Sequence, residues 1–333
     1  MSVPTITVLM PVFNAEQYLR QAIESILNQT FSDFEFLIIN DGSTDNSEQI
    51  ILSYYDNRIR YVKNTENIKL IATLNKGIEL SRGKYIARMD ADDISKPHRL
   101  QTQFNFMEAN KAVAICGSWF ETIGNKEVIV KYAEHHNDIV LKMLYQCHFC
   151  HPTVIIRREM INTSDIKFDP KFIHAEDYDF FVRVGKKFQL ANIQEALLKY
   201  RVHSQSVSTQ YKDIQEQNSI IIKRQLFNSI GVDVTTKEID LYRAISQYEY
   251  RSDETFIQEA KLFLEKLTKA NDSSKVIEVN FLRRKMGEFW FNVVNNSITK
   301  NKLLIKYYSS FLSNYRLLSI IEKAKLLLKS HIV

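Results

Sequence analysis

Three aspartates stand within four positions in the stretch ARMDADD, at Asp90, Asp92 and Asp93, directly after the apolar run KYIARM. Carboxylates packed this closely repel one another, so the cluster needs a cation beside it. Hard oxygen ligands at i and i+2 on an open loop suit Mg²⁺ or Mn²⁺ that keeps coordination positions free for phosphate oxygens. A solvated turn carries such acids too, and on that reading Asp93 is the N-cap of a helix that Pro97 opens at its first turn. The position of the cluster at the end of an apolar strand favours metal and nucleotide binding for Asp90 and Asp92, and the capping role for Asp93.

Three further stretches carry chemistry-bearing side chains. In NDGSTD at 40 to 45, Asp41-Gly42 makes a tight turn and Ser43 or Thr44 can cap the next helix, while a carboxylate fixed at a strand end can accept the imino proton of a uracil ring. In HAEDYDFF at 174 to 181, Glu176 and Asp177 near a helix start are stabilised as anions by free backbone N–H groups, so Asp177 can serve as a general base. Asp179 points elsewhere on that helix and reads as structural. In YRVHSQSVS at 200 to 208, Arg201, His203 and three serines can hold a diphosphate or bring an imidazole to a metal. Each stretch has an ordinary reading as a polar turn, helix face or loop.

The elements that must position these residues follow from periodicity. ITVLMPV at 6 to 12, FEFLIIN at 34 to 40, IRYVKN at 59 to 64 and KYIARM at 84 to 89 are apolar runs of strand length. Between them lie amphipathic helices; the first, over 15 to 29, places Tyr18, Leu19, Ala22, Ile23, Ile26 and Leu27 on one face. Such alternation predicts a parallel sheet covered on both faces, whose ligand crevice lies beyond the carboxyl ends of the strands. Phe13-Asn14, Asp41 to Ser43 and Asp90 to Asp93 all fall there. From about residue 112 the pattern predicts mixed or antiparallel strands, a helix near 138 to 146, a strand at 153 to 157, a helix at 174 to 187 and short strand material at 197 to 202. All five prolines lie at or before 170, so the last 120 or so residues have a helical composition, and we place a boundary near 210.

Composition bounds the rest. A formal charge of +5 on 333 residues is too weak to argue for nucleic acid. The N-terminal stretch has no basic region and is broken by Pro4 and Pro11, and no run approaches the roughly 20 apolar residues of a membrane span, so a cytoplasmic protein is expected. Cys147-His148-Phe149-Cys150-His151 matches a haem-attachment pattern, but no export signal accompanies it and no second ligand pair stands nearby for zinc. The three cysteines are therefore expected to be free thiols packed in or beside the core.

Taken in order, TVLMPVFNAEQYLRQAIESILNQTF, INDGSTD, LNKGIELSRGKYIARMDADD, HPTVIIRR, AEDYDFF and LLKYRVHSQSVS resemble the family-2 class of inverting glycosyltransferases with the GT-A fold, over residues 5 to about 208. CGSWFE, AEDYDFF and ALLKYRVH are most similar to bacterial enzymes of lipooligosaccharide or surface-polysaccharide synthesis, including β-1,3-N-acetylhexosaminyltransferases. The resemblance implies a mostly parallel α/β sheet over 1 to 210 and a helical region over 211 to 333. It implies that Pro11, Phe13 and Asn14 line the nucleoside pocket and that Asp41 holds the uracil. On the same resemblance Asp90 would lie by the ribose, Asp92 would bind Mn²⁺ or Mg²⁺, His203 would join the metal or the diphosphate, Arg201 would be a further diphosphate contact and Asp177 would be the base. The donor would be a UDP-sugar, best GlcNAc or GalNAc with UDP-Gal or UDP-Glc as the alternative, and the acceptor a glycan or lipid-linked glycan, best a galactose joined β-1,3. One departure stands out: where the class often has Asn-x-Gly before its nucleotide helix, this chain has Asn67-Ile68-Lys69.

Past 210 no motif is legible. A helix over 315 to 329 would gather Leu317, Leu318, Ile320, Ile321, Ala324, Leu327 and Leu328 opposite Arg316, Glu322, Lys323, Lys325 and Lys329. Such a basic amphipathic helix suits either the cytoplasmic face of the inner membrane or packing against the chain itself or a second copy. Two rival functions share parts of the pattern. A sugar-phosphate nucleotidylyltransferase needs a glycine-rich loop where PVFNAEQ stands, and a non-catalytic nucleotide-binding module would keep the pocket without the base.

Overall fold

The computed structural model describes residues 3–124, 126–203, 210–251, 253–296, 307–316 and 322. They form two compact units, one of Met1–Ile139 with Cys147–Ser219 and one of Val140–Gln146 with Ile220–Val333.

Among the described residues the first unit holds nine strands: β1 Ile6–Val12, β2 Phe34–Asn40, β3 Ile59–Lys63, β4 Tyr85–Arg88, β5 Ile94–Ser95, β6 Val113–Ile123, β7 Ile129–Val130, β8 Ile155–Arg157 and β9 Gln189–Arg201. The helices of this stretch are α1 Leu19–Leu27, α2 Ser47–Leu52, α3 Leu70–Leu80, α4 Arg99–Ala109, α5 His136–Met143, α6 Arg158–Ser164 and α7 Glu176–Gly185. The strands make one sheet in the order β3-β2-β1-β4-β8-β6-β9-β5, with β7 on β6. Strands β1 to β4 pair in parallel, as their apolar runs and intervening helices predict. Beyond them the sheet is mixed: β8 runs antiparallel to both β4 and β6, and β9 runs parallel to β6.

Every residue of β1 and β2 is buried, which is what a sheet covered on both faces requires. Helix α1 closes one face with Leu19, Ala22, Ile23 and Ile26, four of the six residues expected on its apolar side. Pro11 sits in the central strand without breaking the ladder. Leu9 O accepts from Met89 N at 3.0 Å on the β4 side, and Pro11, two residues on, faces that side beyond the last β1–β4 pair, Leu9 with Arg88.

Two elements differ from the sequence reading. Strand β9 is 13 residues long, not a short piece near 197 to 202, because its pairing with β6 continues through register shifts between Ser118 and Phe120. The two-residue strand β5, unsuspected from the sequence, follows Asp93 at once and pairs antiparallel with β9, Ile94 opposite Lys199. That pairing starts α4 at Arg99, with His98 rather than Asp93 at the N-cap position.

The helical composition past 210 becomes helices Lys212–Ile230, Thr236–Ser246, Glu254–Ser274 and Val279–Asn295. Thr235 and Glu238 cap one another's backbone N–H groups in a capping box, and Asp253 accepts from Phe256 N at 2.7 Å at the next helix start. The core of the second unit gathers Phe227, Tyr242, Leu264 and Trp290, whose indole N–H donates to Tyr307 O at 2.9 Å. No helix among the described residues is long and apolar enough to cross a membrane. The amphipathic segment expected over 315 to 329 lies almost wholly outside the described residues.

Candidate functional site

The nucleoside side of the site is built where β1 and β2 end. Phe13 is half exposed, Asn14 is exposed with φ +48°, and Pro11 is buried in the strand behind them. Asn14 braces the neighbouring turn: its N–H donates to Ser43 Oγ at 3.0 Å, and its Oδ1 accepts from Thr44 N at 2.8 Å. Neither Ser43 nor Thr44 therefore caps α2, contrary to the sequence expectation. Asp45 Oδ1 accepts from Ser47 N instead, at 2.9 Å.

Asp41 is buried, and its Oδ1 accepts two bonds, from Asn64 Nδ2 at 2.8 Å and Ile68 N at 3.0 Å. Among the described residues its Oδ2 takes none. The turn holding it demands glycine next: Gly42 has φ +71°, and a Cβ there would stand 2.8 Å from both Asn67 N and Glu66 C. Gly42→Ala is expected to destabilise the protein by on the order of 2 kcal/mol and to push the 66–68 loop, with the Ile68 N–H, off Asp41. A melting curve and faster hydrogen exchange at the Ile68 amide check both parts.

Lys69, the departure from the family pattern, has φ +73° at the start of α3. The backbone there combines a positive φ with an extended ψ of 161°, a region that essentially only glycine favours, and lysine occupies it at a cost on the order of 1–3 kcal/mol.

The acid cluster is held by two elements that the sequence did not connect. One ligand atom from each of Asp90, Asp92 and Asp93 lies within 4.8 Å of the others. The β5–β9 pairing brings Arg201 and His203 to this loop. Arg201 N donates to Asp93 Oδ1 at 2.8 Å, its Nε to Asp92 O at 2.8 Å and its Nη2 to Gln21 Oε1 at 2.8 Å, while its guanidinium lies 4.3 Å from the centre of the Tyr18 ring. His203 Nε2 is 2.9 Å from Asp92 Oδ2. Asp93 is thus a strut between the acid loop and β9, because residues 94 and 95 pair as a strand before any helix begins. Its Oδ2 is buried without a hydrogen-bond partner. Burial pushes its carboxyl well up, with the charges of Asp90 and Asp92 adding to the effect.

Hard carboxylate oxygens at this spacing, two of them part-exposed and one orphaned, fit a divalent cation; Asp92 and Asp90 are open enough to bind it. Among the described residues no other group of three or more metal-type side chains comes together. In the Cys-His-Phe-Cys-His stretch the thiols of Cys147 and Cys150 are free, and His148 Nε2 accepts from Ala133 N at 2.7 Å.

The sequence reading missed the cations already present. Arg88, at the end of β4, is 3% exposed and forms an ion pair with Asp90. Arg99, on α4, is fully buried; its Nη2 donates to Arg88 O at 2.7 Å and its Nε to Gln103 Oε1 at 3.0 Å. Two guanidinium groups therefore lie behind three carboxyl groups. The signal was available: an arginine inside an apolar strand covered on both faces has nowhere to extend its head to water, so it must be paired.

Asp177 stands at the start of α7, part-buried, with Oδ1 accepting from Tyr178 N at 2.7 Å. Loss of hydration raises its carboxyl to about 6, the nearby Asp90 charge adds to the rise, and Arg88 opposes it. Its neighbour Glu176 is buried and raised to about 7, by burial first and then by the Asp177 charge. Asp179 is engaged elsewhere, as expected, in an ion pair with Arg183 at 2.6 Å. The Asp177 carboxyl thus titrates under the charges of both Asp90 and Arg88.

Comparison with known proteins agrees with this geometry. The profile described as Glycosyl transferase family 2 matches residues 7–164. An uncharacterised glycosyltransferase of Haemophilus influenzae is 36% identical over 248 residues, covering 69% of this chain and 77% of the relative. The UDP-Glc:alpha-D-GlcNAc-diphosphoundecaprenol beta-1,3-glucosyltransferase WfgD of Escherichia coli is 27% identical over 219 residues, 65% of this chain and 85% of its own. Among solved structures, S. aureus TarS 1-349 in complex with UDP-GlcNAc superposes with a TM-score of 0.59 at 15% identity, covering 98% of this chain and 89% of that one, a likeness of fold. With a relative 36% identical over more than two thirds of both chains and the family profile over the strands that carry the acid cluster, the chain belongs to glycosyl transferase family 2.

Proposed function

We propose that the chain transfers a sugar from a UDP-sugar to a hydroxyl of a glycan acceptor with inversion at the anomeric carbon. The observation that carries this reading is the gathering of Asp90, Asp92 and Asp93 within 4.8 Å at the end of β4, with Arg201 and His203 from a distant stretch bonded to Asp93 and Asp92. Asp41 accepts the uracil imino proton on Oδ2, its unused oxygen, and Phe13, Asn14 and Pro11 wall the nucleoside. Asp90 lies toward the ribose, and Asp92 with His203 holds Mn²⁺ or Mg²⁺. Arg201 reaches the diphosphate with Nη1, the terminal nitrogen that neither Asp92 nor Gln21 engages. A divalent cation bound there supplies positive charge against the UDP leaving group. Asp177 takes the proton of the acceptor hydroxyl; the oxygen forms its bond to the anomeric carbon from the face opposite the departing diphosphate, whose bond to that carbon breaks. An α-linked donor gives a β-linked product.

For the donor we propose UDP-GlcNAc or UDP-GalNAc, with galactose as acceptor through a β-1,3 bond, in lipooligosaccharide or surface-polysaccharide synthesis. The glucosyl donor and diphosphoundecaprenol-linked acceptor in the name of the Escherichia coli relative support UDP-Glc as the second reading and a lipid-linked acceptor. Such an acceptor fits a protein working at the cytoplasmic face of a membrane. A panel of UDP-sugars with Mn²⁺ is expected to show slow hydrolysis of one N-acetylhexosamine donor, followed by transfer to a galactose-terminated acceptor. Hydrolysis that persists in excess chelator would overturn the metal role, and preference for UDP-Glc would select the second reading.

A further inference from the structure

Arg88 does more than fill a strand. Its guanidinium is buried, and among the described residues its Nε has no hydrogen-bond partner and its ion pair is with Asp90. Burial works against its charge, and Asp90, Asp93 and Asp92 together outweigh that, holding it more firmly protonated than an ordinary arginine. A buried charge so poorly hydrogen-bonded is expensive unless charge on the other side compensates it. The groups around it also look both ways. Asp90, Asp92 and Asp93 lie on the metal side; Glu176 and Asp177 feel the same guanidinium from the start of α7. His151, whose buried Nε2 is likewise unpartnered, is kept neutral by burial first and by Arg88 second. Arg99, the buried guanidinium next to it, differs: Gln103 Oε1, Met89 Sδ and Arg88 O each accept from one of its nitrogens, and its role is to tie α4 to the strand end.

We propose that Arg88 is a positioning residue, a resident cation that holds the acid loop in place before a divalent metal arrives and shares the charge of the loop with that metal afterwards. This rests on the transferase reading for its purpose, but the mechanism concerns only the protein and a cation. A fixed positive charge at the strand end lets three acids stay together in the metal-free protein. It also keeps affinity for a free metal ion moderate, so that the ion is held well only when the diphosphate adds its own negative charge.

The test uses the full chain and MnCl₂ alone, without nucleotide sugar or acceptor, so it stands apart from any transfer assay. Thermal melts are compared for wild type, Arg88→Lys, Arg88→Met and Arg88→Met with Asp93→Asn. In metal-free buffer Arg88→Met should lose on the order of 10 °C, as for a broken buried ion pair, and Arg88→Lys much less. Added Mn²⁺ should raise the melting temperature of Arg88→Met by several degrees more than that of wild type, since a cation of another kind takes over the role. Asp93→Asn should restore part of the loss by removing one repelling charge. An Mn²⁺ response in Arg88→Met no larger than in wild type, or equal damage from Arg88→Lys, overturns the proposal. If Arg88→Met does not fold, recovery of a cooperative melt in the double variant supports the charge role, and failure of both overturns it.

Discussion

Asp177→Asn is expected to lower kcat for transfer by about 10³- to 10⁴-fold while leaving UDP affinity within about twofold, and to raise the melting temperature at neutral pH. The first effect follows from the proposed base losing its proton acceptor. The second follows from linkage. Burial raises the Asp177 carboxyl to about 6 in the folded chain, above the value near 3.9 of an unfolded aspartate. A group shifted in that direction favours folding below its unfolded value, and that contribution is lost as pH rises through about 6. At neutral pH its ionised form is therefore a burden on the fold, which the amide relieves; a gain of a few degrees is in proportion. The same shift gives the wild type an acidic limb in its kcat profile with a midpoint near 6, absent from a variant whose residual rate does not use this base. The charged groups that set the midpoint are Glu176, Asp90 and Arg88; Cys147, Cys150 and Tyr132 also face the site, each kept neutral because burial pushes it well up. Kinetics, calorimetric UDP titration and melting curves on one preparation decide the matter. An asparagine variant that keeps more than a tenth of wild-type kcat, or that loses UDP binding with activity, removes Asp177 from the chemistry.

How far the sequence led depends on which forces each reading used. The four parallel strands were legible because burial on both faces makes each an unbroken apolar run, and no other context overrides that signal. The acids at their ends were legible for the same reason, since the crevice position follows from topology. Capping assignments failed where tertiary partners outbid local ones. Ser43 is taken by the Asn14 N–H across the crevice, and Asp93 by the Arg201 N–H from a strand more than a hundred residues away. Strand β5 is two residues long and has no period to detect; only its partner β9 defines it. The charge balance was misread because the sequence reading looked for the cation outside the chain. KYIARM reads as six strand residues, yet its charged interior member, Arg88, is buried there with no route to water and so needs a partner within the fold. The helical content past 210 was legible from the scarcity of proline and glycine, whereas its function has no local signature.

Replacing Asp92 should separate the proposed metal-holding residue from its neighbour. Asp92 and His203 are in contact at 2.9 Å, and either the ring joins the cation directly or it orients the carboxylate that does. Asp92→Asn removes a charged oxygen ligand and keeps the size of the side chain, so kcat/KM at saturating donor should fall by about 10³-fold and excess Mn²⁺ should not recover it. His203→Gln removes the imidazole but leaves the carboxylate charge. If the ring orients Asp92, the Mn²⁺ concentration for half-maximal rate should rise by about 10- to 100-fold, and kcat should return when metal is raised. If the ring is itself a ligand, kcat should stay low at any metal concentration, as in Asp92→Asn. Arg201 braces the same loop through its N–H on Asp93 Oδ1 and its Nε on Asp92 O, and is anchored to α1 by Gln21 and Tyr18. Because its Nη1 is also the proposed diphosphate contact, Arg201→Lys should weaken UDP more than it weakens the metal. A metal requirement that Asp92→Asn leaves untouched would show that the three acids of the loop serve the fold alone, with Arg88 and Arg99 as their sufficient cations.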